Sequence, residues 1–156
     1  YSPEQIDPKV KHYSRLNFVL AELEATDVDP DALPLLLDSK GNISEGIGSN
    51  FFMVSNGVLK TAKDNDILQG VSRMTVFELA KQLGIPAVEE DLQPYDVYTA
   101  DEAFMSSTPY CILPVGRVDN RKLGDDVPGP ITQQLLAAWS ERVGLDIVDQ
   151  LSRLAK

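Results

Sequence analysis

Residues 42–50 read Asn-Ile-Ser-Glu-Gly-Ile-Gly-Ser-Asn, and this glycine-rich stretch predicts a loop that places one acidic residue, Glu45, between two apolar runs. The run before it is Leu-Leu-Leu at 35–37, and the run after it is Phe-Phe-Met-Val at 51–54. Both runs are typical of buried strands. A carboxylate held between buried strands is costly unless a cation faces it. The pattern therefore predicts a cationic partner for Glu45, while an exposed position in a turn, where most glutamates lie, stays open as the alternative.

The composition indicates one acidic globular domain. The chain has 156 residues, of which 43% are hydrophobic, and its formal net charge is -10. That charge argues against a nucleic-acid partner, because proteins that bind phosphate backbones carry a basic face. No apolar run approaches the roughly 20 residues that cross a bilayer, so no membrane is expected. One histidine and one cysteine offer no set of metal ligands. The lone Cys111, taken as a small buried side chain, fits a reducing compartment and predicts a cytoplasmic location.

Helical and strand patterns follow one another along the chain. Leu16, Val19, Leu20 and Leu23 recur at helical spacing and predict an amphipathic helix over 14–25. The other predicted elements are a buried strand at 33–37, a strand at 51–55 that turns at Asn56-Gly57, a helix capped by Ser72 and ended by Gly84, strands at 88–90, 103–106 and 112–115, a helix that opens at 128–130, and an amphipathic tail at 147–154. This order predicts a single α+β or α/β domain with a mixed sheet.

Three features would carry chemistry if they faced one pocket. Lys11 can form a Schiff base where its surroundings lower its pKa, although most lysines are solvated surface charges. Gly70-Val71-Ser72 at a helix start can hold a phosphate through free backbone N–H groups, although a plain N-cap is the commoner explanation. Glu45 supplies a carboxylate. A lysine, a phosphate cup and a carboxylate together are what pyridoxal 5'-phosphate requires.

Five segments carry a resemblance to a known family. They are Asn-Ile-Ser-Glu-Gly-Ile-Gly-Ser-Asn-Phe-Phe-Met-Val-Ser-Asn-Gly-Val-Leu from 42, Leu-Gln-Gly-Val-Ser-Arg from 68, Ala-Asp-Glu-Ala-Phe-Met-Ser-Ser-Thr from 100, Leu-Pro-Val from 113 and Gly-Pro-Ile-Thr from 129. In this order, over nearly the whole chain, they resemble the class IV aminotransferases, which are the fold-type IV enzymes of pyridoxal phosphate. The family includes branched-chain, D-amino-acid and (R)-amine transaminases and aminodeoxychorismate lyase.

The resemblance implies a role for particular residues. Lys11 matches the Schiff-base lysine, and Glu45 matches the partner of the pyridinium nitrogen. It assigns Val71 and Ser72 to the phosphate cup, Ser107 and Thr108 to a second loop on the phosphate side, and Arg15 to the neighbourhood of the phenolic oxygen. His12 follows the lysine directly, but adjacent residues seldom face the same site, so it receives no catalytic role.

Two departures from the family pattern bear on function. The resemblance implies that residues 1–156 are the larger C-terminal domain, α/β barrel-like, of a subunit whose small N-terminal domain is absent from this chain, so the isolated piece is expected to have little activity. Family members bind the substrate carboxylate with backbone N–H groups after the threonine. Pro109 has no N–H, and one charge-assisted hydrogen bond of roughly 1.5–3 kcal/mol is missing there. Pro109 and Tyr110 are therefore predicted to alter substrate binding.

The function implied by the resemblance is transamination between an amino acid or amine donor and a keto acid, through a Schiff base on Lys11, by a homodimer. Two alternatives stay open at this point. One is a lyase of the same family, and the other is a non-catalytic domain that binds the cofactor or a partner subunit without turnover.

Overall fold

The computed structural model describes residues 7–154, without the side chain of residue 154. The sequence also predicts an extended segment over residues 1–10, where Pro3 and Pro8 exclude regular structure, and most of this segment lies outside the described residues. The helices are α1 (Leu16–Val28), α2 (Val71–Leu83), α3 (Pro94–Tyr98), α4 (Pro130–Val143) and α5 (Ile147–Leu154). The strands are β1 (Leu35–Leu37), β2 (Ile43–Gly46), β3 (Ser49–Ser55), β4 (Val58–Ala62), β5 (Ala87–Glu90), β6 (Glu102–Ser107), β7 (Cys111–Val115), β8 (Arg117–Val118) and β9 (Arg121–Lys122).

A seven-stranded mixed sheet forms the centre of the domain. Strand β3 pairs with β2, β4 and β6, and β1, β5 and β7 extend the sheet from these neighbours. All pairs are antiparallel except β4 with β5, which are parallel and are joined by α2. Strands β8 and β9 form a separate two-stranded ribbon. The predicted α+β class with a mixed sheet and packed helices is confirmed.

Alternating side chains of β3 divide the core into two clusters. Phe52 and Val54 face α2 and α4, in a cluster completed by Phe104 of β6 and Trp139 of α4. The rings of Phe52 and Phe104 are stacked with their centroids 5.1 Å apart. The residues of β3 that alternate with these, such as Phe51, pack on the other face of the sheet. Because side chains on a strand point to alternate faces, a run that is apolar throughout marks a strand covered on both sides.

The β3–β4 hairpin turns where the sequence predicted. Ser55 pairs with Val58, and the two residues between them, Asn56 and Gly57, have φ angles of 52° and 75°. Two successive positive φ angles define the type I′ turn, whose twist matches that of the flanking strands.

The structure corrects three details of the sequence prediction. Glu45 does not lie in a loop, because it belongs to β2. Helix α2 begins at Val71 with Gly70 as its N-cap, so Ser72 is its second residue and not its cap. The predicted buried strand at 33–37 is reduced to β1, which is partly exposed.

Helix α1 carries an apolar stripe that nothing in the described residues covers. The stripe is formed by Leu16, Val19, Leu20 and Leu23, whose exposed fractions are 68%, 46%, 57% and 56%. None of the residues of this helix is buried. An exposed contiguous apolar stripe of this kind is typical of a surface that another segment or subunit covers. None of the five helices, as far as residues 7–154 show, is long and apolar enough to cross a membrane.

Candidate active site

A row of three polar residues crosses the sheet at the end of the helix-covered face. In the sheet register Glu45 of β2 pairs with Asn50 of β3, and Asn50 pairs with Ser106 of β6. Residues that pair directly across strands project on the same face. The row therefore lies two residues beyond Phe52 and Phe104, where the apolar core ends, and all three residues are buried.

This row forms part of the wall of a cavity of about 420 Å³. The segment before α1 contributes Lys11, His12 and Arg15, and the N-terminus of α2 contributes Gly70 to Ser72. The cavity is therefore lined by residues that are far apart in the chain. Many of these residues are polar, whereas the neighbouring positions of the sheet are apolar.

Glu45 is the buried acid of the cavity. Its side chain is 5% exposed, and one carboxylate oxygen, Oε2, accepts hydrogen bonds from the Leu68 N–H at 3.0 Å and from Asn50 Nδ2 at 3.4 Å. Burial raises the pKa of this carboxyl group from 4.5 to about 7, while the Leu68 N–H and the charge of Lys11 act in the opposite direction. A cation placed against Glu45 would favour its ionised form. The prediction that this residue needs a cationic partner therefore has a physical basis in the structure.

The segment before α1 brings basic side chains to the same cavity. Lys11 and His12 both line it, because the residues before the helix have no regular secondary structure and adjacent side chains need not alternate. His12 Nδ1 is buried and has no hydrogen-bond partner among the described residues. The Arg15 guanidinium donates to the Ile47 carbonyl and lies over the Phe18 ring, 5.2 Å from its centroid. Arg15 thereby joins this segment to the turn after Glu45.

Another part of the cavity lining is suited to an anion. No side chain caps the N-terminus of α2 among the described residues, and Ser72, in its first turn, is buried. The hydroxyl groups of Ser106 and Ser107 are also buried without a hydrogen-bond partner in the described part of the chain. Because buried polar atoms are normally satisfied, unpartnered hydroxyls beside an uncapped helix start are suited to an anionic ligand that accepts hydrogen bonds.

The cavity contains seven of the nine residues to which the sequence assigned a site role. They are Lys11, Arg15, Glu45, Val71, Ser72, Ser107 and Thr108. Pro109 and Tyr110 follow directly in the chain but are not among the lining residues, and Tyr110 packs against the second core cluster. Their effect on substrate binding stays a prediction. Within residues 7–154, no group of three or more His, Cys, Asp or Glu side chains could hold a metal ion.

Asn50 and Ser106 were not singled out from the sequence. Asn50 ends the motif that begins at residue 42, and a polar residue next to a run of four apolar strand residues was the signal available for it. Ser106 gave no such signal, because only the pairing of β3 with β6 brings it beside Asn50.

Comparisons with known proteins identify the class to which this fold and cavity belong. The family model described as amino-transferase class IV matches residues 1–118. The chain therefore belongs to the class IV aminotransferase family.

Individual relatives point to one branch of that family. The putative branched-chain-amino-acid aminotransferase of Methanocaldococcus jannaschii is 40% identical over 149 residues, which are 93% of this chain and 51% of the relative. The branched-chain aminotransferase of Thermoproteus uzoniensis, solved with norvaline, superposes with a TM-score of 0.81 at 35% identity, over 90% of this chain and 46% of the other. The branched-chain amino acid aminotransferase of Thermobaculum terrenum, solved in its PLP form, gives a TM-score of 0.85 at 30% identity, over 92% of this chain and 48% of the other. The chain thus spans about half the length of the relatives it matches.

Proposed function

We propose that this chain is the cofactor-binding domain of a transaminase that uses pyridoxal 5'-phosphate. The observation that carries the proposal is the cavity itself, in which a lysine, a buried acid and an uncapped helix N-terminus line one space. The Thermobaculum terrenum relative, solved in its PLP form, supports the same cofactor.

The residues of the cavity fit the parts of this cofactor. Lys11 would hold it covalently through Nζ, Glu45 would face the ring nitrogen, and Arg15 would lie near the phenolic oxygen. Val71, Ser72, Ser107 and Thr108 would surround the phosphate. The Ser107 hydroxyl, which has no hydrogen-bond partner among the described residues, could donate to a phosphate oxygen, and the partial positive charge at the N-terminus of α2 favours an anion. When bound, pyridoxal phosphate supplies an electron sink for the bond that breaks at the substrate carbon.

Two residues of the chain would do the chemical work around that cofactor. Glu45 has a pKa raised to about 7 by burial, so a cationic ring nitrogen would bring it to its ionised form, and the ion pair would keep the nitrogen protonated. The Lys11 amine, when it does not hold the cofactor, would act as the base: its Nζ would take the proton from the substrate carbon and deliver it to the cofactor.

The substrates we propose are an amino acid or amine as donor and a keto acid as acceptor. The relatives are named branched-chain aminotransferases. Pro109 offers no N–H to a substrate carboxylate, which favours a donor whose carboxylate is bound in another way or is absent.

Further features of the whole protein are also proposals. We infer that residues 1–156 form the larger, C-terminal domain, that a smaller N-terminal domain completes the active site, and that the protein is a cytoplasmic homodimer. The apolar stripe of α1, which nothing in residues 7–154 covers, supports a covering domain or subunit, and a single cysteine fits a reducing compartment.

Absorbance tests the proposal directly. The complete natural polypeptide that carries this chain, mixed with pyridoxal phosphate, should turn yellow because a Schiff base absorbs in the visible range. Reduction with borohydride should remove this absorbance band. Lys11→Ala should lack it. Lys9→Ala is the matched control, because Lys9 is an exposed lysine two residues away that does not line the cavity. A band that persists in Lys11→Ala would refute the assignment of Lys11.

Product analysis distinguishes the proposed transaminase from the two alternatives, a lyase of the same family and a non-catalytic domain. Amino transfer from an amine to pyruvate should give alanine. A lyase of the same family would release a fragment of its substrate without forming alanine. A non-catalytic domain would give neither product, and the absence of a yellow band in excess cofactor would favour that alternative.

A further inference from the structure

Asn50 contacts both Glu45, which we propose faces the cofactor ring, and Leu68, which lies just before the proposed phosphate-binding residues. Its Nδ2 atom donates to the Leu68 carbonyl at 2.9 Å and lies 3.4 Å from Glu45 Oε2. The same carboxylate oxygen accepts from the Leu68 N–H at 3.0 Å. Glu45, Asn50 and Leu68 therefore close a triangle of hydrogen bonds on the buried side of the cavity.

The triangle continues into the turn that begins α2. The Gly70 N–H donates to the Leu68 carbonyl at 2.8 Å, so this carbonyl accepts from both Gly70 and Asn50. A Cβ atom at Gly70 would overlap with Asn50 Oδ1, which shows how closely the turn lies against the Asn50 side chain. The position of the α2 N-terminus is thus set by Asn50 and by the absence of a side chain at residue 70.

Burial makes these contacts rigid. Asn50 is 4% exposed, so water molecules have little access to replace the protein partners of its amide group. Separating a buried polar group from its partner costs free energy, because no water replaces the lost hydrogen bond. The Asn50 amide therefore resists separation of Glu45 from residues 68–70.

We propose that Asn50 is a positioning residue that holds Glu45, the acid facing the cofactor ring, and residues 68–70, the turn facing its phosphate, at the spacing that one pyridoxal phosphate molecule requires. This inference rests on the proposed function and deepens it, because it names the residue that couples the two ends of the site.

Comparison of pyridoxal phosphate with pyridoxal tests the coupling. The dissociation constant of pyridoxal divided by that of pyridoxal phosphate measures what the phosphate contributes to binding. In Asn50→Ala of the complete polypeptide this ratio should fall about tenfold, because the Asn50 hydrogen bond that fixes residues 68–70 is lost. The fall should come chiefly from weaker binding of pyridoxal phosphate.

Thr61→Val is the matched control. Thr61 is buried, its hydroxyl donates to the Phe51 carbonyl at 2.6 Å, and it does not line the cavity. This variant also removes one buried hydrogen bond next to β3, so it should lower stability without changing the ratio. A purely structural role for Asn50 would make the two variants behave alike.

Infrared titration of the cofactor-free protein gives a second readout. The carbonyl band of the protonated Glu45 carboxyl group, assigned by its loss in Glu45→Gln, should persist to higher pH in Asn50→Ala than in the wild type. The reason is that removing a hydrogen-bond donor from a carboxylate raises its pKa. Thr61→Val should leave this titration unchanged.

The outcomes distinguish this inference from the proposed function. A wild type that binds pyridoxal phosphate while Asn50→Ala keeps both the ratio and the infrared titration would overturn the role of Asn50 alone. A wild type that does not bind the cofactor would overturn the proposed function and this inference with it. Should Asn50→Ala not fold, Asn50→Ser removes the same amide with a smaller change in volume and should show the same two shifts, and unchanged values there would equally overturn the proposal.

Discussion

Replacement of Glu45 by glutamine should make the stability of the cofactor-free protein less dependent on pH. The pKa of the Glu45 carboxyl group is raised from 4.5 to about 7, chiefly because burial disfavours the charged form. Glutamine has nearly the same shape and can still accept from the Leu68 N–H, so the variant removes the charge and keeps the contacts.

The sign of the effect follows from proton binding. Between pH 4.5 and about 7 the unfolded chain has lost the proton from Glu45 while the folded protein keeps it. The folded state then binds more protons at this residue, so the contribution of Glu45 to the free energy of unfolding decreases as pH rises through this interval and is constant beyond it. Below pH 4.5 both states are protonated and the carboxyl group causes no loss of stability.

The magnitude follows from the same two values. At about 1.4 kcal/mol for each tenfold change in proton affinity, a rise from 4.5 to about 7 corresponds to about 3 kcal/mol at pH 8. The Glu45→Gln protein should therefore gain about 3 kcal/mol relative to the wild type between pH 4.5 and pH 8. The cofactor must be removed first, because a cationic ring beside Glu45 would supply the missing counter-charge.

Urea unfolding at several pH values measures this difference. Glu141→Gln, at an exposed position of α4, controls for the removal of one negative charge from an acidic protein. A stability difference between Glu45→Gln and the wild type that stays constant from pH 4.5 to pH 8 would refute the account of Glu45 as a buried acid awaiting a cation.

Four further substitutions test the framework around the site. Glu102→Ala should lower the free energy of unfolding in urea by about 3 kcal/mol, because its buried carboxylate accepts from the Ile131 and Thr132 N–H groups, each at 2.8 Å, and holds α4 against β6. Phe52→Ala should lower it by about 3–5 kcal/mol, since this ring is fully buried, and a loss under 1 kcal/mol would contradict the packing. Arg142→Ala breaks only an exposed ion pair and should change stability by less than about 1 kcal/mol. Leu20→Glu, in the apolar stripe of α1, should reduce self-association of the 156-residue chain in sedimentation experiments, and unchanged association would show that the stripe is not the contact.

Local signals predicted several elements correctly. Asn56-Gly57 requires two positive φ angles wherever it occurs, so the hairpin between β3 and β4 follows from two residues. Gly84 ends α2 in the left-handed conformation, as its position after a helical pattern predicted. The apolar run at 51–54 indicated a strand covered on both faces, and β3 has this position at the centre of the sheet.

Element boundaries at the site were less predictable. Ser72 has the chemistry of an N-cap, but the N-cap lies two residues earlier, at Gly70, because residues 68–70 are held by contacts with β2 and β3. Glu45 was expected in a loop because glycine residues surround it, yet pairing with Asn50 extends β2 through it. In both cases a partner distant in the sequence outweighed local propensity.

The chain order of residue types was enough to indicate an acid that needs a cation, a lysine before a helix and a helix start suited to phosphate, since each depends on a few neighbouring residues. Their assembly around one cavity depends on the pairing of β2, β3 and β6, which brings Glu45, Asn50 and Ser106 into one row. Strand register is a long-range property, and shifting it by one residue would turn a side chain to the other face of the sheet. The burial that raises the pKa of Glu45, and the contacts of Asn50 that join this acid to the turn at residues 68–70, therefore arise only in the folded chain.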